Sequence, residues 1–283
     1  EIEMKPMNKI AAIHDISCYG RAALATIIPI LSSMGNQVCP LPTAVLSTHT
    51  DGFGKPAIRD LSDFIYETKD HWKRLNLNFQ CIYSGYLADP NQVKFVERFI
   101  EDFKEENTLV VIDPVMADNG KLYDGMSKKM IEEMRTLIKS ADIITPNITE
   151  ASFLLGKEYK ESLNEDEIKE YLVGLGDLGP KISIITSVTS SRGNEYIDTV
   201  LYDREEKMFY TYSHKRINAF YCGTGDAFAS LLIGWILRGE SIEKALEKSC
   251  NFIAEAIEYS EKFDYPPNEG ILLESLLYKL ISK

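Results

Sequence analysis

Residues 223 to 226 read Gly-Thr-Gly-Asp and open an apolar helical stretch running from Ala227 through Phe228, Leu231, Leu232 and Trp235 to Ile236. Two glycines let a ligand approach the backbone closely, and the unpaired amides of a helix start carry a partial positive charge. Such a start suits an anion such as phosphate. Asp226 is the odd member, because a carboxylate repels a phosphate beside it unless it takes a proton from a group attacking that phosphate. The plainer reading makes Thr224 a helix cap and Asp226 a complement to the dipole, and the tetrapeptide alone favours it.

Further candidates follow apolar runs. Asp113 closes Leu109-Val110-Val111-Ile112 and precedes Pro114, with Asp118 five residues on. Two carboxylates on one loop suit magnesium, a hard cation that prefers oxygen and keeps waters for the phosphates it bridges. Asp118-Asn119-Gly120 reads equally well as a plain turn. Thr145-Pro146-Asn147-Ile148-Thr149-Glu150 has the spacing of a capping box, with Asn147 at the cap and Glu150 three residues later, and that carboxylate can also hold a metal-bound water. Thr43 to Gly54 joins a short strand to a polar, glycine-bearing loop that either offers hydroxyls and an imidazole to a small ligand or is a mobile connection. Tyr19, Phe53 and Tyr86 can wall a flat ring, and each also fits ordinary packing. Cys222 has no base partner in the sequence and reads as a small buried residue. The chain lacks the G-x-S-x-G elbow of serine hydrolases, the G-x-x-x-x-G-K-[ST] phosphate loop, and a G-x-G-x-x-G after its first strand.

These residues need a scaffold. Short β-rich runs alternate with helical patterns, the signature of βαβ units on a mostly parallel sheet. Strands are predicted at Ile10 to Ile13, Cys81 to Tyr83, Leu109 to Ile112, Ile143 to Ile144 and Ile182 to Ile185. Helices are predicted at Ala22 to Met34, Leu61 to Arg74, Asn91 to Phe103, Lys128 to Lys139, Glu165 to Leu175, Gly225 to Leu237, Ile242 to Tyr259 and Gly270 to Ile281. Tyr196 to Tyr202 and Lys207 to Tyr212, flanking Asp203-Arg204-Glu205-Glu206, predict a hairpin, an antiparallel excursion in the C-terminal third. Ligands of open parallel sheets sit outside the carboxyl ends of the strands. Those ends carry His14 to Ser17, Ser84 to Tyr86, Asp113, Thr145 to Asn147, and Thr186 with Ser187, so these groups should meet in one crevice with Gly223 to Asp226 over it.

The 283 residues contain no Pro/Gly/Ser linker and no repeat, so one domain over 1–283 is the economical reading. The leading Glu1 suggests that residues 1–7 include an expression remnant, with Met4 or Met7 as the natural start. A net charge of −12, with no basic run longer than His214-Lys215-Arg216, argues against nucleic acid and anionic membrane as partners. Five cysteines without a C-x-x-C pair and four histidines without ligand spacing argue against disulfides and structural zinc. No transmembrane run or signal-peptide core is present, and a cytoplasmic location fits.

Gly223-Thr224-Gly225-Asp226, Asp113-Pro114-Val115-Met116, Thr145-Pro146-Asn147 through Glu150, and Ser47-Thr48-His49-Thr50 together resemble the ribokinase-like superfamily, and within it the pyridoxal/pyridoxamine kinases. The likeness runs from Lys9 to the C-terminal helices. It implies a three-layer α/β/α fold around the mostly parallel sheet. It also implies a homodimeric enzyme that transfers a phosphoryl group from ATP, with Mg2+ and room for a monovalent cation such as K+, to the hydroxymethyl group of pyridoxal, pyridoxamine or pyridoxine. By the same resemblance Asp226 is the base, and the amides of Gly223, Thr224 and Gly225 form the anion hole. Asp113, Asp118 and Glu150 lie near the metal and the phosphates, Asn147, Thr186 and Ser187 on the nucleotide side, and Thr50 and Tyr86 around the pyridine ring.

One segment departs from that family's pattern. Where pyridoxal kinases carry a serine and a G-Y-V-G-N-like run, this chain has Asp15-Ile16-Ser17-Cys18-Tyr19-Gly20-Arg21, similar in style to the D-x-S-x-x-G of hydroxymethylpyrimidine kinases. Asp15 or Ser17 then contacts the ring, and a hydroxymethylpyrimidine kinase is the rival in chemistry. A non-catalytic vitamin- or nucleotide-binding protein on the same fold is the rival of another class.

Overall fold

The computed structural model describes residues 7–189, 193, 195–217 and 221–281, so all but the last residue of the expected N-terminal remnant lies outside the described residues. In chain order the elements are β1 (Lys9–Ser17), α1 (Leu24–Ser33), β2 (Gln37–Leu46), β3 (Ile58–Asp60), α2 (Ser62–Arg74), β4 (Cys81–Ser84), α3 (Pro90–Phe103) and β5 (Leu109–Ile112). There follow β6 (Ala117–Asp118), β7 (Lys121–Leu122), α4 (Lys128–Leu137), β8 (Ile143–Ile144), α5 (Ile148–Leu155), α6 (Glu165–Asp177), β9 (Ile182–Thr189), β10 (Tyr196–Asp203), β11 (Met208–Lys215), α7 (Thr224–Leu237) and α8 (Ile242–Ser260).

Nine strands form one sheet in the order β11-β10-β9-β8-β5-β4-β1-β2-β3. The six from β2 to β9 run parallel, while β3 and the β10-β11 hairpin add antiparallel edges. Side chains alternate across the sheet. Ile10, Ala12, Tyr83, Val111 and Ile143 pack toward α1, α7 and α8, whereas Ala11, Ile13, Ile82, Ile112 and Ile144 pack toward α2 to α6. Burial on both faces explains why these strands read as continuous apolar runs, and it yields the three layers expected. On the second face, Phe95, Phe99 and Phe103 recur one helical turn apart along α3 and close against Phe79. Among the described residues no helix is long and apolar enough to cross a membrane.

Three predicted elements differ. The strand expected to be short before the polar loop starts at Gln37 and includes Pro40 and Pro42. Their missing amide protons are tolerated because β3 covers only Ala44 to Leu46, leaving β2 an open edge lower down. Strand β9 does not stop at Ile185. It continues through a bulge at Thr186 and Ser187, where pairing jumps from Ile185–Val200 to Val188–Asp198 and Ser187 takes φ 58°. The helix expected over Gly270 to Ile281 is a turn-rich strap with one 3-10 turn at Leu277–Leu280. Ile271, Leu273, Leu276 and Leu280 are buried with residues of α1, α7 and α8, and Leu272 donates its amide to Ser260 Oγ, so packing overrides the helical pattern.

Candidate active site

Helix α7 starts with no side-chain cap. Gly223 holds the N-cap position at φ 75°, and a Cβ there would lie 2.0 Å from the Arg21 carbonyl oxygen, so conformation and space both demand glycine. The first intrahelical bond runs from Ala227 N to Gly223 O at 3.0 Å, which leaves the amides of Thr224, Gly225 and Asp226 unspent within the helix. Thr224 is thus the first helical residue and not the cap its sequence position suggested.

Asp226 takes the third helical position but does not fold back on its own helix. Its Oδ2 accepts the Ala23 amide at the start of α1, 2.8 Å away. Asp113, just past β5, accepts from Thr145 Oγ1 at 3.1 Å, and its Oδ2 lies 3.9 Å from where a Cβ on Gly225 would stand. Asp15, buried near the end of β1, completes the cluster. Burial, and after it the charge of Asp226, pushes the Asp15 carboxyl up to about 7 and raises that of Asp113. Burial pushes Asp226 up to about 6 against the pull of the Ala23 amide. None of these carboxylates is paired with a lysine or arginine among the described residues. An acidic crevice of this kind, facing unspent amides, suits a divalent cation together with a phosphate and a proton-donating hydroxyl.

Glu150 forms the capping box foreseen at α5: its amide donates to Asn147 Oδ1 at 2.9 Å, and its Oε2 accepts the Asn147 amide at 2.9 Å. Its Oε1 accepts the Met116 amide at 3.1 Å. Burial and then the charge of Asp113 raise this carboxyl well above its usual range. Asn147 Nδ2 donates to Ala117 O at 2.8 Å, so both ends of that side chain are engaged. Asp118 accepts from the backbone and side chain of Asn119 at the β6-β7 turn, where Asn119 and Gly120 both have positive φ. Among the described residues no three His, Cys, Asp or Glu side chains converge as a ready metal site, so Asp113, Asp118 and Glu150 are not brought together as direct ligands. Thr186 and Ser187 lie at the β9 bulge, with the Thr186 amide 3.4 Å from Pro146 O and thus beside the loop that leads into α5.

The polar loop after β2 reaches over the same end of the sheet. His49 Nδ1 accepts the Asp51 amide at 3.2 Å, which leaves Nε2 to donate to Asn268 O at 2.6 Å. Phe53 stands edge-on to His49 and to Tyr19, with centroids 4.8 and 5.7 Å apart, so two of the three expected aromatic walls meet. The third, Tyr86, is half-buried beside Asp15. Thr50 is exposed on the loop, and Ser17 is buried with its hydroxyl unpartnered. Cys222 donates to Asp51 Oδ2 at 2.9 Å, and burial followed by that contact pushes its thiol up to about 12, which suppresses a thiolate.

Two residues near the site escaped the sequence reading: Ala23 and Asn268 act through backbone groups that no motif marks. The sequence marks Thr145 and His14 only as polar strand ends, and the structure gives each a specific place, Thr145 as the donor to Asp113. Fully buried His14 packs against the Tyr83 ring at 4.3 Å, and burial drives its imidazole down to about 3, so it stays neutral behind Asp15. Gly85 is the available signal for it, since a Cβ there would lie 2.6 Å from His14 Nδ1.

An uncapped helix start that faces clustered carboxylates at the carboxyl ends of a parallel sheet suits phosphoryl transfer, and likeness to known proteins places the chain among the small-molecule kinases of the ribokinase-like class. Residues 64–269 match the phosphomethylpyrimidine kinase family, and the chain belongs to that kinase family. It is similar to the pyridoxal kinase of Dictyostelium discoideum, 27% identical over 92% of this chain and 90% of the relative. Among solved structures, a Bacteroides thetaiotaomicron protein described as a phosphomethylpyrimidine kinase and crystallised with pyridoxal superposes with TM-score 0.93. It is 44% identical over 97% of this chain and 96% of its own. Lactobacillus plantarum pyridoxal kinase superposes with TM-score 0.89 at 29% identity, covering 97% of both chains.

Proposed function

We propose that this chain, acting as one domain, is a cytoplasmic pyridoxal kinase that phosphorylates the hydroxymethyl group of pyridoxal, pyridoxamine or pyridoxine with ATP. The observation that carries the reading is Asp226 on an open helix start, with Asp15, Tyr86 and the His49-Phe53 loop at the same strand ends. Support for the ring comes from the Bacteroides relative with pyridoxal bound and from the relatives named pyridoxal kinase.

In this reading the acceptor oxygen attacks the γ-phosphorus of ATP, the bond from that phosphorus to the ADP oxygen breaks, and the hydroxyl proton passes to Asp226. In a loose transition state the proton leaves late, so a carboxylate of modest basicity suffices. The Ala23 amide holds Oδ2 and turns the other oxygen toward the acceptor. The amides of Thr224, Gly225 and Asp226 offset the charge on the phosphoryl oxygens. The acidic crevice fits Mg2+, which Asp113 would hold, with Glu150, whose own oxygens are already committed to amides, acting on it indirectly. Magnesium supplies charge neutralisation on the phosphates. Thr186 and Ser187 flank the nucleotide, Thr50 closes over the ring, Asp118 stays at the rim of the metal site, and the enzyme works as a homodimer with a monovalent cation such as K+.

Steady-state kinetics with the three vitamers and with hydroxymethylpyrimidine test the substrate. A clear preference for the pyrimidine, the substrate class suggested by the Asp15-x-Ser17-x-x-Gly20 run, would replace this reading with the rival.

A further inference from the structure

One residue outside the reacting groups ties together the segments that carry them. Arg21 lies between β1 and α1, and its backbone amide donates to Glu269 O at 2.9 Å. Its guanidinium donates through Nε to both oxygens of Glu274, at 2.8 and 3.1 Å, and through Nη1 to the Tyr265 hydroxyl and to Glu269 O. All three partners lie in the segment that follows α8, Tyr265 and Glu269 on the run leading into the C-terminal strap and Glu274 within the strap itself. On its other side the Arg21 carbonyl packs on Gly223, the N-cap of α7. An exposed ion pair contributes little alone, but a guanidinium bonded to three residues of one segment fixes that segment.

Two residues further on, Ala23 has φ 47° and ψ −133°, a conformation that glycine adopts freely and alanine does not. A bridge to Ile16 holds it from the strand side. Its reward is functional, because the Ala23 amide in this conformation donates to Asp226 Oδ2. No side chain caps α1, so this bond across to α7 also serves the start of α1.

We propose that Arg21 is a positioning residue for phosphoryl transfer: by clamping the β1-α1 loop to the C-terminal strap it keeps Ala23 in its strained turn, and the Ala23 amide then fixes the Asp226 carboxylate with its second oxygen toward the acceptor hydroxyl. This inference rests on Asp226 as the proton acceptor of the kinase reading. It assigns the strap a catalytic consequence, although the strap touches none of the reacting groups.

The test compares wild type, Arg21→Ala and the double variant Arg21→Ala/Ala23→Gly, in pyridoxal turnover and in amide exchange of residues 22–25 measured by mass spectrometry. Arg21→Ala should lower kcat about tenfold to a hundredfold while KM for ATP moves less than about threefold, the signature of misalignment and not of lost binding. Glycine holds the Ala23 conformation without a clamp, so the double variant should regain at least about fivefold in kcat. A purely structural Arg21 gives the opposite order, because glycine beside a helix start loosens the chain further. Amide exchange needs no substrate, and Arg21→Ala should lose protection at 22–25 while the rest of the sheet keeps it. A folded Arg21→Ala with unchanged kcat, unchanged protection at 22–25, or a double variant no faster than the single overturns the proposal. A wild type that phosphorylates no B6 vitamer overturns the substrate reading instead, and the exchange result then decides the clamp by itself.

Discussion

Helices α5 and α7 both carry a carboxylate at the third helical position, Glu150 and Asp226, and both carboxylates neighbour Asp113. At α5 the asparagine cap and the glutamate satisfy each other, and the Met116 amide takes the remaining oxygen. At α7 a left-handed glycine stands where the cap would be, the carboxylate reaches across to another helix, and the first amides stay unspent within the helix. A capping side chain stabilises a helix start by about 1 kcal/mol. Helix α7 forgoes that contribution and, in the proposed function, gains a place for a phosphate. A helix start left incomplete beside three buried carboxylates is a place that a ligand can complete.

The contrast breaks most sharply at the carboxylates. Asp226→Asn keeps size and the Ala23 hydrogen bond but cannot take up the proton, so kcat should fall by about 10²- to 10⁴-fold, with ATP affinity by calorimetry largely kept. Turnover near wild type would make Asp226 a cap after all. Glu150→Gln, the matching change at α5, should cost far less.

Gly223→Ala comes next. It adds a Cβ 2.0 Å from a backbone oxygen at a residue with φ 75°, so the helix start must shift and kcat should drop by roughly ten- to a hundredfold. The melting temperature should fall as well. At α5, Asn147 has an ordinary extended backbone, so the equivalent change there should leave the helix direction intact.

The pH response sharpens the comparison further. Asp15 and Asp226 titrate near 7 and 6 in the fold against 3.8 for a free carboxyl, so between those values the folded chain binds more protons than the unfolded one. The stability these groups contribute is fully present below about pH 4 and is lost as pH rises through 6 to 7. Asp15→Asn removes part of the repulsion among ionised carboxylates, so it should raise the apo melting temperature relative to wild type more at pH 8 than at pH 5. An equal difference at both pH values would mean that Asp15 is ordinarily ionised. For turnover the sign reverses: kcat/KM should decline as pH falls through the same range, because the base must be ionised to accept a proton.

The same contrast separates what the sequence makes legible from what it hides. Spacing within one element survives folding, and Asn147 with Glu150 is a local pattern whose geometry follows from helix pitch. Gly223 is legible for a like reason, since its left-handed backbone and its contact with the Arg21 carbonyl are needs of its own position. Cross-chain contacts leave no local trace. The Ala23-to-Asp226 bond joins residues 203 apart, and His49 finds Asn268 219 residues away. The segment after Gly270 misleads because its apolar spacing fits a helix, while the groove it fills accepts those side chains from an irregular backbone. Thr186 and Ser187 read as a strand end because a bulge interrupts the ladder at the place where a terminus was expected.

The smallest effect draws the finest line. Helix α6 has its own capping box, Asn164 with Glu167, exposed and away from the carboxylate cluster. Asn164→Ala and Asn147→Ala each remove one cap and should each cost about 1 kcal/mol in denaturant unfolding. Only Asn147 also holds Ala117 O and the glutamate beside Asp113, so only its loss should raise the Mg2+ concentration needed for half-maximal turnover, by about two- to fivefold. If the two alanine variants lose the same stability and the same Mg2+ response, the α5 cap is as purely structural as the α6 cap, and the working part of the crevice narrows to Asp15, Asp113 and Asp226.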